Sequence, residues 1–277
     1  MRIGVIAPGA MGAAIAHRLH TRGADVAVTL EGRSPSSALR AAGLQQQRSE
    51  AALAGWADVL LSVLPPGEAL ALARRLAPVL LPRGRDVIFA DCNAVSPKTV
   101  AEIAGAVPGI RFADIGIIGG PPRAADVGPR LYASGEGAEA LRTLREHGID
   151  LRPIEGGVGA ASALKMSYAG ITKGLTALGS AMALGAARSG AAAALRAELT
   201  ASQPEIFRYL RRSVPEMFGK AYRWVAEMEE VAAFLDAVPE AKMYEGAAGL
   251  YEAIAADESD PAADGPVSRL SAFYRPN

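Results

Sequence analysis

Short apolar runs rich in Val, Ile and Leu recur along the first half of the chain and predict strands. They span residues 3–6, 24–30, 58–64, 86–90, 111–118, 131–134 and 150–154. Helices are predicted over about residues 10–22, 38–42 and 137–146, and from residue 97 onward. The run 58–64 is almost entirely apolar, as expected of a parallel strand buried on both faces. Alternating strands and helices predict an α/β domain with a mostly parallel sheet over residues 1–155.

The second half of the chain is predicted to be entirely helical, over residues 156–277. No proline interrupts residues 160–187, so this segment predicts one helix on the order of 40 Å long that joins the two domains. Further helices are predicted over 191–199, 203–212, 215–235 and 239–255, where apolar residues keep a helical spacing. The acidic stretch 256–266 contains Pro and Gly and predicts a loop or tail.

Composition excludes several classes of partner. Lys and Arg total 29 and Asp and Glu total 29, so no basic excess points to nucleic acid or to an anionic membrane surface. The single cysteine, Cys92, excludes an internal disulfide and gives no zinc site, which favours a reducing cytoplasm. Residues 1–6 run straight into a strand, so we expect no signal peptide, and the apolar run 175–187 is shorter than the roughly 20 residues that span a bilayer. We expect a cytoplasmic protein with a small-molecule partner, no membrane segment and no metal.

The turn after the first strand carries a pattern that predicts a dinucleotide site. Residues 7–12 match G-x-G-x-x-G, with Ala7 in place of the first glycine. Gly9 lets the backbone approach a pyrophosphate, Gly12 lets the helix pack closely, and the N–H groups near Ala10 and Met11 face the phosphates. The alternative is a plain turn between a strand and a helix. The strand-turn-helix context favours a Rossmann-type, NAD(P)-binding domain.

The end of the second strand offers two selectors of the cofactor. Glu31 occupies the position of a carboxylate that accepts the ribose 2′-hydroxyl of NAD. Arg33 and Ser34 follow in the same loop and suit the 2′-phosphate of NADP. We favour NADP and keep NAD possible. A simpler interpretation is that Ser34 or Ser36 only caps the following helix.

The carboxyl ends of the other strands supply further candidate residues. Leu64 and Pro65 are expected to line the cofactor cleft. Asn93 can bond the cofactor, a substrate or a neighbouring amine, and the alternative is a local Asx turn. The Gly119-Gly120 turn exposes backbone N–H groups that can bind a carboxylate. Ser96 is expected to cap the helix that begins near residue 97.

The glycine-rich turn 156–159 opens the long helix, and three polar residues share one face of it. Lys165, Tyr168 and Thr172 recur at i, i+3 and i+7. A lysine partly withdrawn from water has a lowered pKa and can act as a general base. The alternatives are a solvated helix lysine at 165 and a core or interface tyrosine at 168.

Four segments in this order, residues 3–12, 91–97, 112–120 and 156–165, resemble the β-hydroxyacid dehydrogenase superfamily. That superfamily includes 3-hydroxyisobutyrate dehydrogenases, 6-phosphogluconate dehydrogenases and imine reductases. The second half resembles a branch with a DUF1932-type C-terminal domain.

The resemblance implies a two-domain oxidoreductase in which Lys165 is the acid/base and Asn93 orients lysine or substrate. It implies that Gly119 and Gly120 hold substrate oxygens. Lys220 falls where relatives carry a Lys-Asp pair, although the acid is missing here. Many relatives have an asparagine where this chain has Tyr168 and a serine where it has Ile118.

These features predict hydride transfer between nicotinamide, NADP favoured, and a small hydroxy or keto acid. Tyr168 and Ile118 motivate an alternative, reduction of an imine. A dinucleotide-binding protein without turnover is the third hypothesis. The small residues of the run 175–187 allow close helix approach and predict a homodimer.

Overall fold

The apolar runs of the first half form one sheet in the computed structural model, which describes residues 1–122, 128–236 and 238–275. Within those residues the sheet has eight strands, in the order β3-β2-β1-β4-β5-β6-β7-β8. All neighbouring strands are parallel except β6 and β7. The predicted Rossmann-type fold class is confirmed. The strands are β1 Arg2–Ile6, β2 Asp25–Thr29, β3 Gln45–Gln47, β4 Val59–Ser62, β5 Ile88–Asp91, β6 Arg111–Ile118, β7 Arg130–Ser134 and β8 Asp150–Pro153.

Helices cover both faces of this sheet, so neighbouring residues of one strand enter different cores. Val5 and Leu61 belong to one buried cluster, whereas Ile6 and Leu60 belong to the other. This explains why β1 and β4 are continuous apolar runs rather than alternating ones. The α-helices are α1 Ala10–Thr21, α2 Pro35–Arg40, α3 Glu50–Trp56, α4 Ala69–Leu80 and α5 Pro97–Gly105.

Local signals explain where these helices begin. The Ser34 hydroxyl accepts the N–H of Ser37 and caps α2, as the simpler interpretation of that loop proposed. Ser96 caps α5 as predicted. One strand and two α-helices of the first unit were not predicted: the polar edge strand β3, helix α3, which Ser49 caps, and helix α4. The helix predicted over 137–146 is instead a 3-10 helix, Ala140–His147.

The chain divides into two units, Met1–Lys165 and Met166–Asn277. The predicted long helix is α6, Ala160–Arg188, whose first turns belong to the first unit. The predicted domain boundary at 155 falls in the connection between β8 and α6. The second unit is helical, with α7 Ala192–Ser202, α8 Pro204–Met217, α9 Ala221–Leu235, α10 Ala241–Ser259 and α11 Pro266–Tyr274.

The predicted break between the helices 203–212 and 215–235 was wrong. Pro215 does not begin a helix but lies inside α8, where Val214 and Met217 are buried. The break comes later, at the 3-10 helix Phe218–Lys220.

The segment 256–266 is not simply a loop. Helix α10 continues to Ser259, and Asp257 is buried, with its carboxylate accepting the N–H groups of Ala262 and Val267 at 3.1 and 2.8 Å. This carboxylate caps α11, which packs three large side chains into the core: Leu270, Phe273 and Tyr274. One acidic residue of this segment, Asp257, is therefore a helix cap. Among the described residues, no helix combines the length and apolar character that crossing a bilayer requires.

Candidate active site

A row of polar side chains crosses the buried centre of the sheet. Ser62, Asp91, Asp114 and Ser134 are successive register partners on β4, β5, β6 and β7. All four are fully buried. Register partners project from the same face of a sheet, so these side chains are neighbours. Carboxylates are rarely buried unless other groups hydrogen-bond to them. The groups that bond to Asp91 and Asp114 therefore identify the residues of this site.

Asp114 fixes the first turn of α6. Its Oδ2 accepts the N–H groups of Gly159 and Ser162 at 3.0 and 2.9 Å, and its Oδ1 accepts the Ser162 hydroxyl at 2.7 Å. The Ser134 hydroxyl also donates to Asp114, at 3.3 Å. A carboxylate at a helix N-terminus satisfies N–H groups that have no partner within the helix. Lys165 follows Ser162 by one turn, so the same contacts set its height above the sheet.

A close approach between α6 and β6 positions the stem of Lys165. A Cβ built on Gly116 would lie 2.6 Å from the carbonyl oxygen of Ala161 and 3.2 Å from the Cβ of Lys165. Only glycine therefore permits this packing at position 116. The lysine stem lies directly against the backbone of β6.

Burial shifts the pKa of both Lys165 and Asp91, and the charge of each group acts on the other. Withdrawal from water lowers the pKa of Lys165 from 10.5 to about 8, while the charges of Asp91 and Asp114 act in the opposite direction. Burial raises the pKa of Asp91 to about 7, against the hydrogen bonds from Asn93 and the charge of Lys165. Burial also raises the pKa of the Cys92 thiol. The site thus holds an amine that changes protonation near neutral pH, close to a carboxylate that does the same.

Asn93 is buried, and its side-chain amide forms hydrogen bonds with groups at the carboxyl ends of β4 and β5. Its Oδ1 accepts the N–H of Leu64 at 2.5 Å, and its Nδ2 donates to Ser62 Oγ at 3.0 Å and to Asp91 Oδ1 at 2.5 Å. Both amide hydrogens are therefore used. Asn93 joins the ends of β4 and β5, and its side chain orients Asp91 and the Leu64 backbone. Pro65 follows on the surface. Contact of Asn93, Leu64 and Pro65 with a cofactor stays a prediction.

The turn between β1 and α1 has the shape that a pyrophosphate requires. A Cβ on Gly12 would lie 2.1 Å from the carbonyl oxygen of Ala7, so a side chain has no room there. A Cβ on Gly9 would meet no described atom within 4 Å, so the backbone faces open space. Helix α1 begins at Ala10 and Met11 and offers its first N–H groups to that space. The residues present fit a dinucleotide phosphate, and the Cβ of Ala7 is accommodated.

Both predicted selectors of the cofactor already have partners. They border a cavity of about 580 Å³ formed by the loop after β2, the start of α3 and helix α4. Glu31 Oε2 accepts the N–H of Glu50 at 2.7 Å. Arg33 contacts Glu50 at 2.6 Å and Glu68 at 3.8 Å. The Nε of Arg33 is buried and has no hydrogen-bond partner among the described residues. An orphaned guanidinium donor at this place fits an anionic ligand.

The proposed substrate residues occur in both units. Gly119 has φ +126°, and a Cβ there would approach Pro129 at 3.1 Å, whereas Gly120 faces open space after β6. Tyr168 belongs to the second unit and is half exposed. Lys220 is exposed at the end of the 3-10 helix before α9. Contact of these residues with substrate stays a prediction.

Sequence reasoning assigned no role to Asp91 or Asp114. The signal for Asp114 was a charged residue within the apolar strand 111–118, and Asp91 closes the strand just before Asn93. No group of three or more His, Cys, Asp or Glu side chains capable of holding a metal ion occurs in the part of the chain that the structure describes.

Comparison with known proteins places the chain in a class. Residues 2–146 match the NAD binding domain of 6-phosphogluconate dehydrogenase, and residues 186–254 match a domain of unknown function, DUF1932. The fold and these matches define a dinucleotide-dependent oxidoreductase of the dehydrogenase or reductase type. More than half of the chain lies in the first match, so the protein belongs to the family that carries the 6-phosphogluconate dehydrogenase-type NAD-binding domain.

Solved structures agree with this assignment. A conserved protein of unknown function, reported as structurally similar to 3-hydroxyacid dehydrogenases, is 30% identical over 92% of this chain and 96% of its own, with a TM-score of 0.76. The 3-hydroxyisobutyrate dehydrogenase of Mycobacterium tuberculosis is 21% identical, with 98% of both chains covered and a TM-score of 0.72. An imine reductase of Myxococcus stipitatus in complex with NADP+ is 19% identical, with 99% and 100% covered and a TM-score of 0.54. The last two share the fold.

Proposed function

We propose that the protein transfers a hydride between NADP and a small hydroxy or keto acid, with Lys165 as the general acid/base. The observation that carries the proposal is the lysine itself. Its stem lies against β6, its helix is fixed by Asp114, and its pKa of about 8 allows both protonation states near neutral pH. It belongs to the same unit as the cofactor turn.

The nicotinamide supplies the hydride acceptor or donor, and the chain supplies binding and proton transfer. Neutral Lys165 takes the hydroxyl proton during oxidation, and the ammonium returns it during reduction. Asp91 favours the ammonium, and Asn93 holds Asp91 in place. The N–H groups of Gly119 and Gly120 bind the substrate carboxylate. Tyr168 and Lys220 complete the substrate contacts.

The preference for NADP rests on the loop after β2. Arg33 carries an orphaned Nε donor, whereas Glu31 is committed to the N–H of Glu50. Arg33 is also paired with Glu50, but a 2′-phosphate can satisfy its remaining donor, and charge-assisted bonds from a guanidinium to a phosphate are strong. NAD remains the alternative cofactor.

Imine reduction is the second candidate, and Tyr168 and Ile118 favour it. Tyr168 is an exposed donor in place of an asparagine, and Ile118 makes the wall before Gly119 apolar. Turnover of cyclic imines with little turnover of hydroxy acids would select this candidate.

The test titrates the protein with NADPH and with NADH by fluorescence, and then assays a panel of hydroxy acids, keto acids and cyclic imines. Lys165→Ala is expected to keep cofactor affinity and lose turnover, whereas Lys98→Ala, at an exposed position of α5, keeps both. Binding without turnover of any substrate would instead support a non-enzymatic dinucleotide-binding protein. Absence of binding would refute the proposal.

We also propose a homodimer in the cytoplasm. Three large apolar side chains of α6, at Ile171, Leu178 and Met182, are exposed by 70%, 56% and 58% and recur at helical spacing. Together with the small residues of 175–187, they form a surface suited to a second copy. The single cysteine, Cys92, is buried and suits a reducing compartment. Light scattering at micromolar concentration tests the dimer, and a monomer would contradict it.

A further inference from the structure

Glu50 occupies the centre of the charged cavity at the end of β2. The cavity, of about 580 Å³, is lined by five charged residues: Glu31, Arg33, Glu50, Glu68 and Arg75. In a Rossmann-type fold, the ribose of the adenosine half binds near the end of the second strand. Under the proposed function, the cavity lies where a 2′-phosphate would bind.

Glu50 bridges two arginines. Its Oε1 contacts Arg33 Nη2 at 2.6 Å, and its Oε2 contacts Arg75 Nη2 at 3.0 Å and Nε at 3.2 Å. The Arg33 and Glu50 side chains are only 15% and 13% exposed, whereas Arg75 is 52% exposed. Two guanidinium groups from different elements thus converge on one anionic group.

A hydrogen bond to the backbone N–H of Glu50 fixes the position of this residue. Glu31 Oε2 accepts the Glu50 N–H at 2.7 Å, at the first turn of α3, where Ser49 is the cap. One oxygen of the carboxylate that would bind a ribose hydroxyl therefore holds the start of α3. This contact places the Glu50 side chain next to Arg33.

The Glu50 carboxylate does not bond every N–H donor of the two arginines. It has two oxygens, and both are used, yet the buried Nε of Arg33 has no partner among the described residues. A phosphate monoester has three terminal oxygens and up to two negative charges, and it pairs strongly with guanidinium groups. A phosphate therefore offers Arg33 and Arg75 more acceptor oxygens than the Glu50 carboxylate does, although Glu31 and Glu68 also line the cavity.

We propose that Arg33 and Arg75 form a two-arginine site for the 2′-phosphate of NADP and that Glu50 is its internal counter-ion, which the phosphate displaces. The inference rests on the proposed dinucleotide function. Glu50 lowers affinity for NADP by competing for both arginines and has little effect on NAD. It thereby sets the ratio between the two cofactors.

The test measures NADPH and NADH dissociation constants by fluorescence at fixed ionic strength for three variants. Glu50→Gln keeps the size of the side chain and removes its charge, and we expect NADPH to bind about tenfold tighter, about 1.4 kcal/mol, with NADH within twofold. Arg75→Gln removes the second cation, and we expect NADPH to bind about tenfold more weakly, with NADH unchanged. Glu68→Gln is the matched control, because it makes the same charge change in the same cavity but 3.8 Å from Arg33; we expect a change below threefold.

The outcomes distinguish failure of the proposed function from failure of the counter-ion proposal. If the wild type binds neither cofactor, the proposed function fails. If the wild type binds cofactor but Glu50→Gln leaves the NADPH to NADH ratio unchanged or lowers it, the counter-ion proposal is overturned. Melting temperatures show whether each variant folds. If Glu50→Gln fails to fold, Arg75→Gln decides, and an unchanged NADPH to NADH affinity ratio in that variant would refute the two-arginine site.

Discussion

Replacing Lys165 with methionine is expected to stabilise the protein while abolishing turnover. The fold withdraws the ammonium from water, and methionine fills a similar volume without a charge. The pKa of Lys165 falls from 10.5 to about 8, and each unit is worth about 1.4 kcal/mol of free energy. At pH 7 the charged lysine therefore lowers the free energy of unfolding by about 3 kcal/mol relative to a lysine with an ordinary pKa.

The gain is expected to be smaller than that figure and to depend on pH. Removing the amine also removes its attraction for Asp91, whose pKa is already about 7, so that carboxylate becomes costlier to ionise. We expect a net stabilisation of about 1 to 2 kcal/mol at pH 7. The folded-state pKa lies below the unfolded one, so the cost of the ammonium is complete below pH 8. It declines between about 8 and 10.5.

Urea unfolding at several pH values from 6 to 10, followed by circular dichroism, tests this reasoning. Lys98→Met is the control, because it makes the same change at an exposed position of α5. The Lys165→Met variant is expected to have a higher urea midpoint at pH 7, with the difference from wild type shrinking by pH 10. A lower midpoint at pH 7, or a difference independent of pH, would refute the claim that the fold holds this amine at a cost.

Three further changes test other parts of the structure. Asp91→Asn removes a charge that raises the pKa of Lys165, so the limb of the kcat/KM pH profile that reports the lysine is expected at lower pH, by about half to one unit; an unmoved limb would contradict the coupling. Gly12→Ala places a Cβ 2.1 Å from the Ala7 carbonyl oxygen, so we expect a loss of about 1 to 3 kcal/mol in stability and weaker NADPH binding; wild-type melting and affinity would show that the turn is not tight. Asp257→Ala removes the cap of α11, so a loss of about 1 to 2 kcal/mol is expected in urea unfolding, and an unchanged midpoint would refute the capping role.

The sequence predicted the features whose signals are local. The run 58–64 is apolar because β4 is covered on both faces, and Gly12 is glycine because a carbonyl oxygen occupies the space of its side chain. Ser96 lies directly before a proline at a helix start, which makes it recognisable as a cap. The hydrophobic pattern and short-range motifs therefore sufficed for the fold class and for the tight turn between β1 and α1.

Features that depend on strand order were beyond the sequence. Asp91 and Asp114 are separated in the chain and become neighbours only because β5 pairs with β6. Glu50 meets Arg33 and Arg75 because the loop after β2, helix α3 and helix α4 are neighbours in the folded chain. The edge strand β3 consists of three glutamines and lacks the apolar signal of the other strands. Each of these arrangements requires knowledge of which segments are adjacent in space.

The anchoring of α6 by Asp114 also bears on how such proteins diversify. The hydrogen bonds that hold the first turn of the helix, and the lysine one turn later, all lie within Met1–Lys165. A genetic exchange that replaced the chain beyond Lys165 would preserve the phosphate turn, the buried carboxylates and the amine together. Under the proposed function, the reaction and the carboxylate contacts of Gly119 and Gly120 would be inherited together, whereas the contacts of Tyr168 and Lys220 can change in a separate lineage.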